Sequence, residues 1–462
     1  MKQKTIKNIV SFSGKGIHTG VLTNVSLLPA KENTGIVFVR KDLDNHPTIK
    51  ADVSNVCSTK RCTKLKQGIA EISTVEHLLS AIMGAGIDNM IIETDNIEIP
   101  ILDGSAKEFS QLIHEAGTIE LSEEKNYFKI KRKISFIDEE TGASLVATPS
   151  NQYQLEIEID YNSKTLKKQK AKLESIENYD NKISNARTFC FMNELEHLLN
   201  NNLIQGGDLN NAIVIVDDYK EIKKVDKLAK FFKNPNIKIN KNGILNNVNL
   251  RYDNEPARHK LLDVIGDLSL LGRPIKGKIK AFKPGHKNNI KFTNKLKQLM
   301  TEEMQNTAPK INFKEQPIYD KKKIESILPH RSPFLFIDEI REIGEDYIVG
   351  VKYVKQEEEY FKGHFPNEPI MPGVLQLETM AQAGGVLILS TVEDPENYLT
   401  FFMKIDNAKF KQKVIPGDTL IFKLKLISPI RRGLCHMHGK GFVNDKLVVE
   451  ADLLAQIAKK EK

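Results

Sequence analysis

Strand-like alternation and helical spacing take turns along the first 300 residues. Thr23–Leu28 and Gly35–Arg40 alternate apolar and polar positions as half-buried strands do; Thr74–Gly86 changes to a helical spacing, and Asn89–Glu93 returns to strand. A second block repeats that order, with strand-like Tyr127–Phe136 and Tyr153–Tyr161 and helical Thr188–Asn200 and Pro256–Leu271. Like order without a residue-level repeat predicts two α+β subdomains of similar build. Residues 301–318 lose apolar periodicity and predict a linker. Beyond them Ile324–Leu328 opens a third unit. It has one long apolar helix over Pro372–Ser390, then alternating strands at Thr419–Ser428, Cys435–Val443 and Lys446–Ala455. The expected boundaries are 1–124, 125–300, 301–318 and 319–462.

Composition narrows the class without changing this picture. A length of 462 residues implies two to four domains, and 40% hydrophobic with 28% charged residues suits ordinary soluble cores. No apolar run approaches the roughly 20 residues that span a bilayer. Met1–Thr5 carries lysines but no apolar stretch after it, so no secretion signal is expected and the cytoplasm is the expected compartment. Cys57, Cys62, Cys190 and Cys435 are scattered without a CxxC pair, which argues against a disulfide framework and against a thiolate zinc site. Any metal must then be held by nitrogen and oxygen. The net charge of +8 comes mostly from lysine, dense around Lys164–Lys172 and Lys220–Lys241. A solvated surface is its simplest reading, and it also suits an anionic substrate or an acidic protein partner. There is no nucleic-acid motif, and Trp is absent.

The candidate chemistry lies in two histidine clusters. In the first, Val75, Leu78, Leu79, Ile82 and Met83 form a helical stripe, and at 100° per residue His77 projects away from it. Ser73-x-x-Glu76 also reads as a capping box. A later helix starts at Asn254-Glu255-Pro256 and stops at Gly272-Arg273-Pro274. It buries Leu261, Leu262, Ile265 and Leu268, which leaves His259 and Asp263 on the opposite face, with Asp267 one turn further. An HxxxD pair alone is more simply explained as a surface ion pair. With His77 it becomes a His/His/Asp set, the three-ligand arrangement of a catalytic zinc with one position open, although ferrous iron suits the same donors. Such an ion lowers the pKa of water toward ~7. Glu76 then reads as general base, and His286 in Lys283-Pro-Gly-His286 as general acid.

The first 300 residues resemble the UDP-3-O-acyl-N-acetylglucosamine deacetylases of lipid A biosynthesis. The resemblance rests on Gly14-Lys-Gly-Ile-His-Thr-Gly, the run Ser73-Thr-Val-Glu-His-Leu-Leu-Ser, Glu98-Ile-Pro-Ile-Leu-Asp-Gly-Ser-Ala, Asn185-Ala-Arg-Thr-Phe and Arg258-His-Lys-Leu-Leu-Asp. It implies one zinc per chain on His77, His259 and Asp263, Glu76 as base and His286 as acid. It further implies Thr188 at the oxyanion, Lys260 as a charge near the reacting centre, and Asp267 orienting His286. Phe189, Cys62 and Gly207 would lie along a UDP-linked acyl glucosamine. Cys190 and the Lys-rich stretch 164–182 depart from the family pattern.

In the second cluster, Pro366, Pro369 and Pro372 stiffen a loop carrying His364 up to a helix start, where the N–H groups of Gly373 and Val374 face a carbonyl oxygen. Glu378 is the exception on an otherwise apolar helix, on the side of Val374, Ala381 and Gly385; burial there would raise its pKa and suit an acid. A buried glutamate making a structural hydrogen bond is the plainer account of it. His436 and His438 alternate on a strand and suggest no metal. From Leu328-Pro-His-Arg-Ser-Pro through Gly363-His-Phe-Pro and Met371-Pro-Gly-Val-Leu-Gln-Leu-Glu to Val414-Ile-Pro-Gly-Asp, the region is similar to the (3R)-hydroxyacyl-[acyl-carrier-protein] dehydratases, a hot-dog fold. The resemblance implies a cofactor-free site in which His364 removes the C2 proton, Glu378 assists loss of the 3-hydroxyl and the Gly373 N–H holds the thioester carbonyl. It also implies a dimer whose sites take histidine and glutamate from different subunits, usually as a trimer of dimers. Lys409, Lys411, Lys413, Arg431 and Arg432 are candidates to meet the acidic carrier protein. Two other readings remain open at this point: thioester hydrolysis on a hot-dog fold, and a catalytically silent assembly unit.

Overall fold

The computed structural model of the chain describes residues 1–194, 205–206, 211–217 and 236–460. Its contacts divide it into two compact units, Met1–Met300 and Thr301–Lys462.

Among the described residues, the first unit is built on two mixed sheets. One has the strand order β1 (Val10–Lys15), β2 (Leu22–Pro29), β5 (Met90–Thr94), β3 (Ile36–Arg40), β4 (Thr48–Lys50). The other runs β6 (Ile134–Ile137), β7 (Ser144–Thr148), β12 (Ile275–Phe282), β8 (Tyr153–Ile159), β9 (Gln169–Leu173). Each sheet contains a long parallel pair, β3 with β5 and β8 with β12, and the short strand Phe128–Lys129 adds a second parallel partner to β12. Parallel neighbours need a crossover, and each crossover here includes a helix. Between β3 and β5 lies α1 (Glu76–Gly84), on which α2 (Lys107–Ala116) packs after β5; between β8 and β12 lies α3 (Glu255–Ser269). The helices α1 and α3 pack on each other. A Cβ on Gly266 of α3 would fall 2.1 Å from the Glu76 carbonyl oxygen, so only glycine permits the helices to approach this closely.

That packing corrects one expectation. The face of α1 carrying His77 does not look outward: Glu76 through Ile82 are all buried, because α3 covers the side opposite the apolar stripe. His259 and Asp263 are likewise buried, so they are not a surface ion pair. The capping box does not form. Ser73 Oγ donates to Ile97 O, and Glu76 Oε2 accepts from Thr63 N instead.

Other boundaries moved for local reasons. The helix expected over Thr188–Asn200 begins with a strand instead, β10 (Phe189–Phe191), paired in parallel with β11 (Ile213–Ile215); residues 195–200 lie outside the described ones. Tyr127–Phe136 is broken into Phe128–Lys129 and β6. A helix absent from the sequence reading, α4 (His286–Gln305), buries Ile290, Phe292, Leu296 and Met300 and carries helical structure into the stretch expected as linker.

In the second unit, an antiparallel sheet wraps one helix, the hot-dog arrangement. The strand order is β13 (Glu339–Ile343), β14 (Tyr347–Tyr353), β16 (Thr419–Leu426), β17 (Leu434–Val443), β18 (Lys446–Lys459), β15 (Tyr398–Phe410). The helix, α6 (Gly373–Leu389), packs on β14, β16, β17 and β18 and buries apolar residues almost throughout. α5 (Lys321–Ile327) packs against it, with Ile324 in the core.

Candidate active sites

The first site forms where α1 meets α3. His77 comes from α1, and His259 and Asp263 lie one turn apart on α3. His77 Nε2 is 3.7 Å and His259 Nε2 3.4 Å from the same atom, Asp263 Oδ1, and the two rings meet edge to face at 5.0 Å. The three donor atoms lie within 4.8 Å of one another. His259 Nδ1 donates to Ala186 O at 3.1 Å, which fixes the tautomer and leaves Nε2 as a lone pair. Burial, with the neighbouring His259, pushes the His77 imidazole down to about 3, and burial also lowers His259. Both are thus neutral, as metal ligands must be. Burial works against an ionised Asp263, but the Lys260 ammonium 2.8 Å from Oδ2, with the His286 ring adding to it, holds it well below the usual range. Oδ1 has no hydrogen-bond partner. A buried carboxylate oxygen without a donor, facing two neutral imidazoles, is the donor set of a divalent cation, and the residues fit one.

Glu76 and His286 border the same space, with His286 Nε2 at 3.8 Å from Glu76 Oε1 and 3.9 Å from Asp263 Oδ2. Burial pushes the Glu76 carboxyl up to about 7, helped by Asp267 and Asp263 and opposed by His286. Burial alone would lower His286, yet Asp267 and Asp263 outweigh it and hold the imidazole up to about 9. A carboxyl that titrates near neutrality therefore stands beside a ring that keeps its proton.

The Asn185-Ala-Arg-Thr-Phe motif is locked to the start of α3. Arg187 bonds Glu255 through its backbone N–H (3.0 Å) and Nε (2.9 Å), and both side chains are buried. The lock places Ala186 O and Phe189 beside His259, with the Phe189 ring 6.4 Å from the imidazole and Lys260 Nζ 5.6 Å from the Phe189 ring, while the Thr188 N–H between them donates to Gly104 O at 2.8 Å. Cys62 is buried, and burial with the Glu76 charge pushes its thiol up to about 12, so it is no nucleophile. Gly207 lies outside the described residues. The sequence reading missed Tyr161 and Phe191, whose rings pack with Phe189 at 5.6 and 6.4 Å in an aromatic wall. It also missed Thr63 and Asn289, which both donate to Asp267. Thr63 stands next to Cys62, but nothing in the local pattern marks it.

In the second unit, Glu378 is half-buried, and its Oε1 accepts from Gln382 Nε2 at 2.9 Å and lies 3.5 Å from His330 Nε2. Gln382 is anchored in turn by Phe334 O and Phe336 N. Neither His330 nor Gln382 had been singled out; the first lies in a quoted motif, and the second is one turn after Glu378. A cavity runs inward from Glu378 past Ala381, Gly385, Ile388 and Leu453. The helix face is less uniformly buried than expected, because Val374 is exposed at its first turn. His364 Nδ1 donates to Ile370 O at 2.8 Å, but His364 is not among the residues lining this cavity. Gly373 opens α6 against the Phe410 ring, which a Cβ would approach to 2.7 Å. Of the basic residues, Lys409 and Lys411 both reach Glu450, and Lys413 pairs with Glu368. No helix among the described residues is long and apolar enough to cross a membrane.

Comparison with known proteins covers both units. A family model described as UDP-3-O-acyl N-acetylglycosamine deacetylase matches residues 3–229 and 220–298, and a FabA-like domain matches residues 328–452. The "Bifunctional enzyme LpxC/FabZ" of Bacteroides thetaiotaomicron is 46% identical over 460 residues, covering 99% of both chains. That of Porphyromonas gingivalis is 45% identical over 459 residues, covering 99% of this chain and 98% of its own. The UDP-3-O-acyl-N-acetylglucosamine deacetylase of a Psychrobacter species is 39% identical over 295 residues, 63% of this chain and 91% of that one.

Proposed function

The chain belongs to the UDP-3-O-acyl N-acetylglycosamine deacetylase family and, with its FabA-like second unit, is a bifunctional enzyme of the LpxC/FabZ kind; from this premise we propose how its residues divide two reactions. The first unit deacetylates a UDP-linked 3-O-(3-hydroxyacyl)-N-acetylglucosamine in lipid A biosynthesis. The second dehydrates (3R)-3-hydroxyacyl-[acyl-carrier-protein] to the trans-2-enoyl product of fatty-acid elongation.

In the deacetylase, His77, His259 and Asp263 would hold a zinc ion, which would supply Lewis acidity at the scissile amide. Glu76 takes the proton of the attacking water, and His286 gives one to the departing amine. Thr188 donates to the developing oxyanion, and the Lys260 ammonium adds positive charge beside it. Phe189 and Cys62 border the substrate. The observation that carries this reading is the orphaned Asp263 oxygen between two neutral imidazoles, with Glu76 and His286 alongside.

In the dehydratase, His364 removes the C2 proton, Glu378 delivers a proton to the leaving hydroxyl, and the Gly373 N–H at the start of α6 donates to the thioester carbonyl oxygen. The unit works as a dimer. Glu378 lines the cavity while His364 does not, and the sheet ends in β15, whose Phe401, Phe402, Met403 and Phe410 are exposed. A long apolar edge strand is a pairing surface for a second copy, which would bring a second His364 to this Glu378. Soluble carriers, UDP and acyl carrier protein, present both substrates, which supports work in the cytoplasm.

Both activities are to be assayed on the full-length, metal-loaded protein before and after chelator treatment. Deacetylation should collapse and return on adding zinc, while dehydration continues. Equal loss of both overturns the separation into a metal site and a metal-free one.

A further inference from the structure

We propose that Thr63 is the positioning residue that ties the base to the acid in the deacetylase, an inference that rests on the roles given above to Glu76 and His286. Thr63 is fully buried and leads into the short strand Lys64–Gln67. Its backbone N–H donates to Glu76 Oε2 at 3.1 Å, and its hydroxyl donates to Asp267 Oδ1 at 2.6 Å. The same hydroxyl oxygen is 3.3 Å from His286 Nδ1. The second oxygen of Asp267 accepts from His286 Nδ1 and from Asn289 Nδ2, each at 2.9 Å.

One residue therefore meets every group on the proton path except the ligands. Its N–H occupies one oxygen of Glu76 and leaves the other turned toward His286 Nε2, 3.8 Å away. Its hydroxyl occupies one oxygen of Asp267, so this carboxylate cannot turn without breaking buried hydrogen bonds, and the ring bonded to its other oxygen is fixed with it. Glu76 sits on α1, Asp267 on α3 and His286 at the start of α4. Packing of three separate helices cannot by itself hold a proton donor and acceptor to a few tenths of an ångström. A common anchor on a fourth segment can.

The test uses full-length, metal-loaded enzyme carrying Thr63→Val, which keeps the N–H and the shape but removes the hydroxyl, and Thr63→Ser as the rescue. T63V should lower the deacetylation kcat by about 10- to 100-fold, the usual loss when an outer-shell partner is removed. KM should stay within about twofold, metal content should not change, and T63S should recover most of the rate. On an Asp267→Asn background T63V should cost little more, because the hydroxyl acts through that carboxylate. A kcat within about twofold of the parent, KM rising in step with the loss, or T63V and D267N effects that simply multiply would each overturn the proposal. Where valine is not tolerated, T63A, which only removes atoms, carries the same expectations. Glu76→Ala and His286→Ala run alongside. If neither is slow, the assignment of base and acid has failed; if both are slow and T63V is not, only the role of Thr63 has.

Discussion

His286 and Asp267 share a hydrogen bond of 2.9 Å on the ring nitrogen turned away from Glu76. The carboxylate thereby fixes which nitrogen faces the reaction and favours the protonated ring. Asp267→Asn removes the charge and keeps the shape. Deacetylation should fall by about 10- to 100-fold. The high-pH limit of activity should also move to lower pH, since His286 then loses its proton more readily. Steady-state rates across pH check both; an unmoved limit would show that Asp267 does not set the state of the ring.

The pH profile of deacetylation follows from two opposite requirements. Glu76 must have lost its proton, and burial places that event up to about 7; His286 must have kept its own, and Asp267 and Asp263 place its loss up to about 9. Activity should rise through the first and decline through the second. A bound cation favours the deprotonated form of each group, so with metal bound both limbs should lie lower than the surrounding side chains alone would set them. Measuring kcat/KM from about pH 5 to about pH 10 decides it, and a profile with one limb only would remove one of the two roles.

Gly266→Ala should damage the metal site without touching a ligand. Its Cβ would fall 2.1 Å from the Glu76 carbonyl oxygen, which is backbone and cannot swing aside. The helices must separate, at a cost of about 1–3 kcal/mol for overpacking. Thermal unfolding of the first unit should shift downward, and zinc affinity should weaken with it. An unshifted transition would mean that the close contact is not kept in solution.

His364→Ala and Glu378→Ala should each abolish dehydration and leave deacetylation intact. If each site takes one residue from either subunit, co-assembly of the two variants rebuilds about a quarter of the sites by random pairing. Dehydration should then return to about that fraction. No return would place both residues of a site in one chain.

Much of this was readable in the chain, and the failures share a cause. α1 and α3 were placed by their apolar stripes, and the i, i+4 spacing of His259 and Asp263 needs only helical geometry. What covers the far side of α1 is not in its own sequence, so His77 looked like an outward-facing residue. α4 was missed because only part of one face is apolar: Lys287, Lys291, Lys295 and Lys297 dilute the stripe of Ile290, Phe292, Leu296 and Met300. β12 alternates lysine with apolar residues in Ile-Lys-Gly-Lys-Ile-Lys-Ala-Phe, yet its central place comes from distant partners, β7 and β8. The Arg187–Glu255 pair, 68 positions apart, explains why β10 begins where a helix was expected, and no local signal announces it.

The two crossovers have a consequence for assembly. The helix of one sheet brings Glu76 and His77; the helix of the other brings His259 and Asp263. Neither half owns all three candidate ligands, so a metal ion held by them would bind tightly only after the halves have docked, and its binding energy would then clamp that docking. Metal uptake during refolding would thus act as a timer for the joining of the two sheets, read without any substrate.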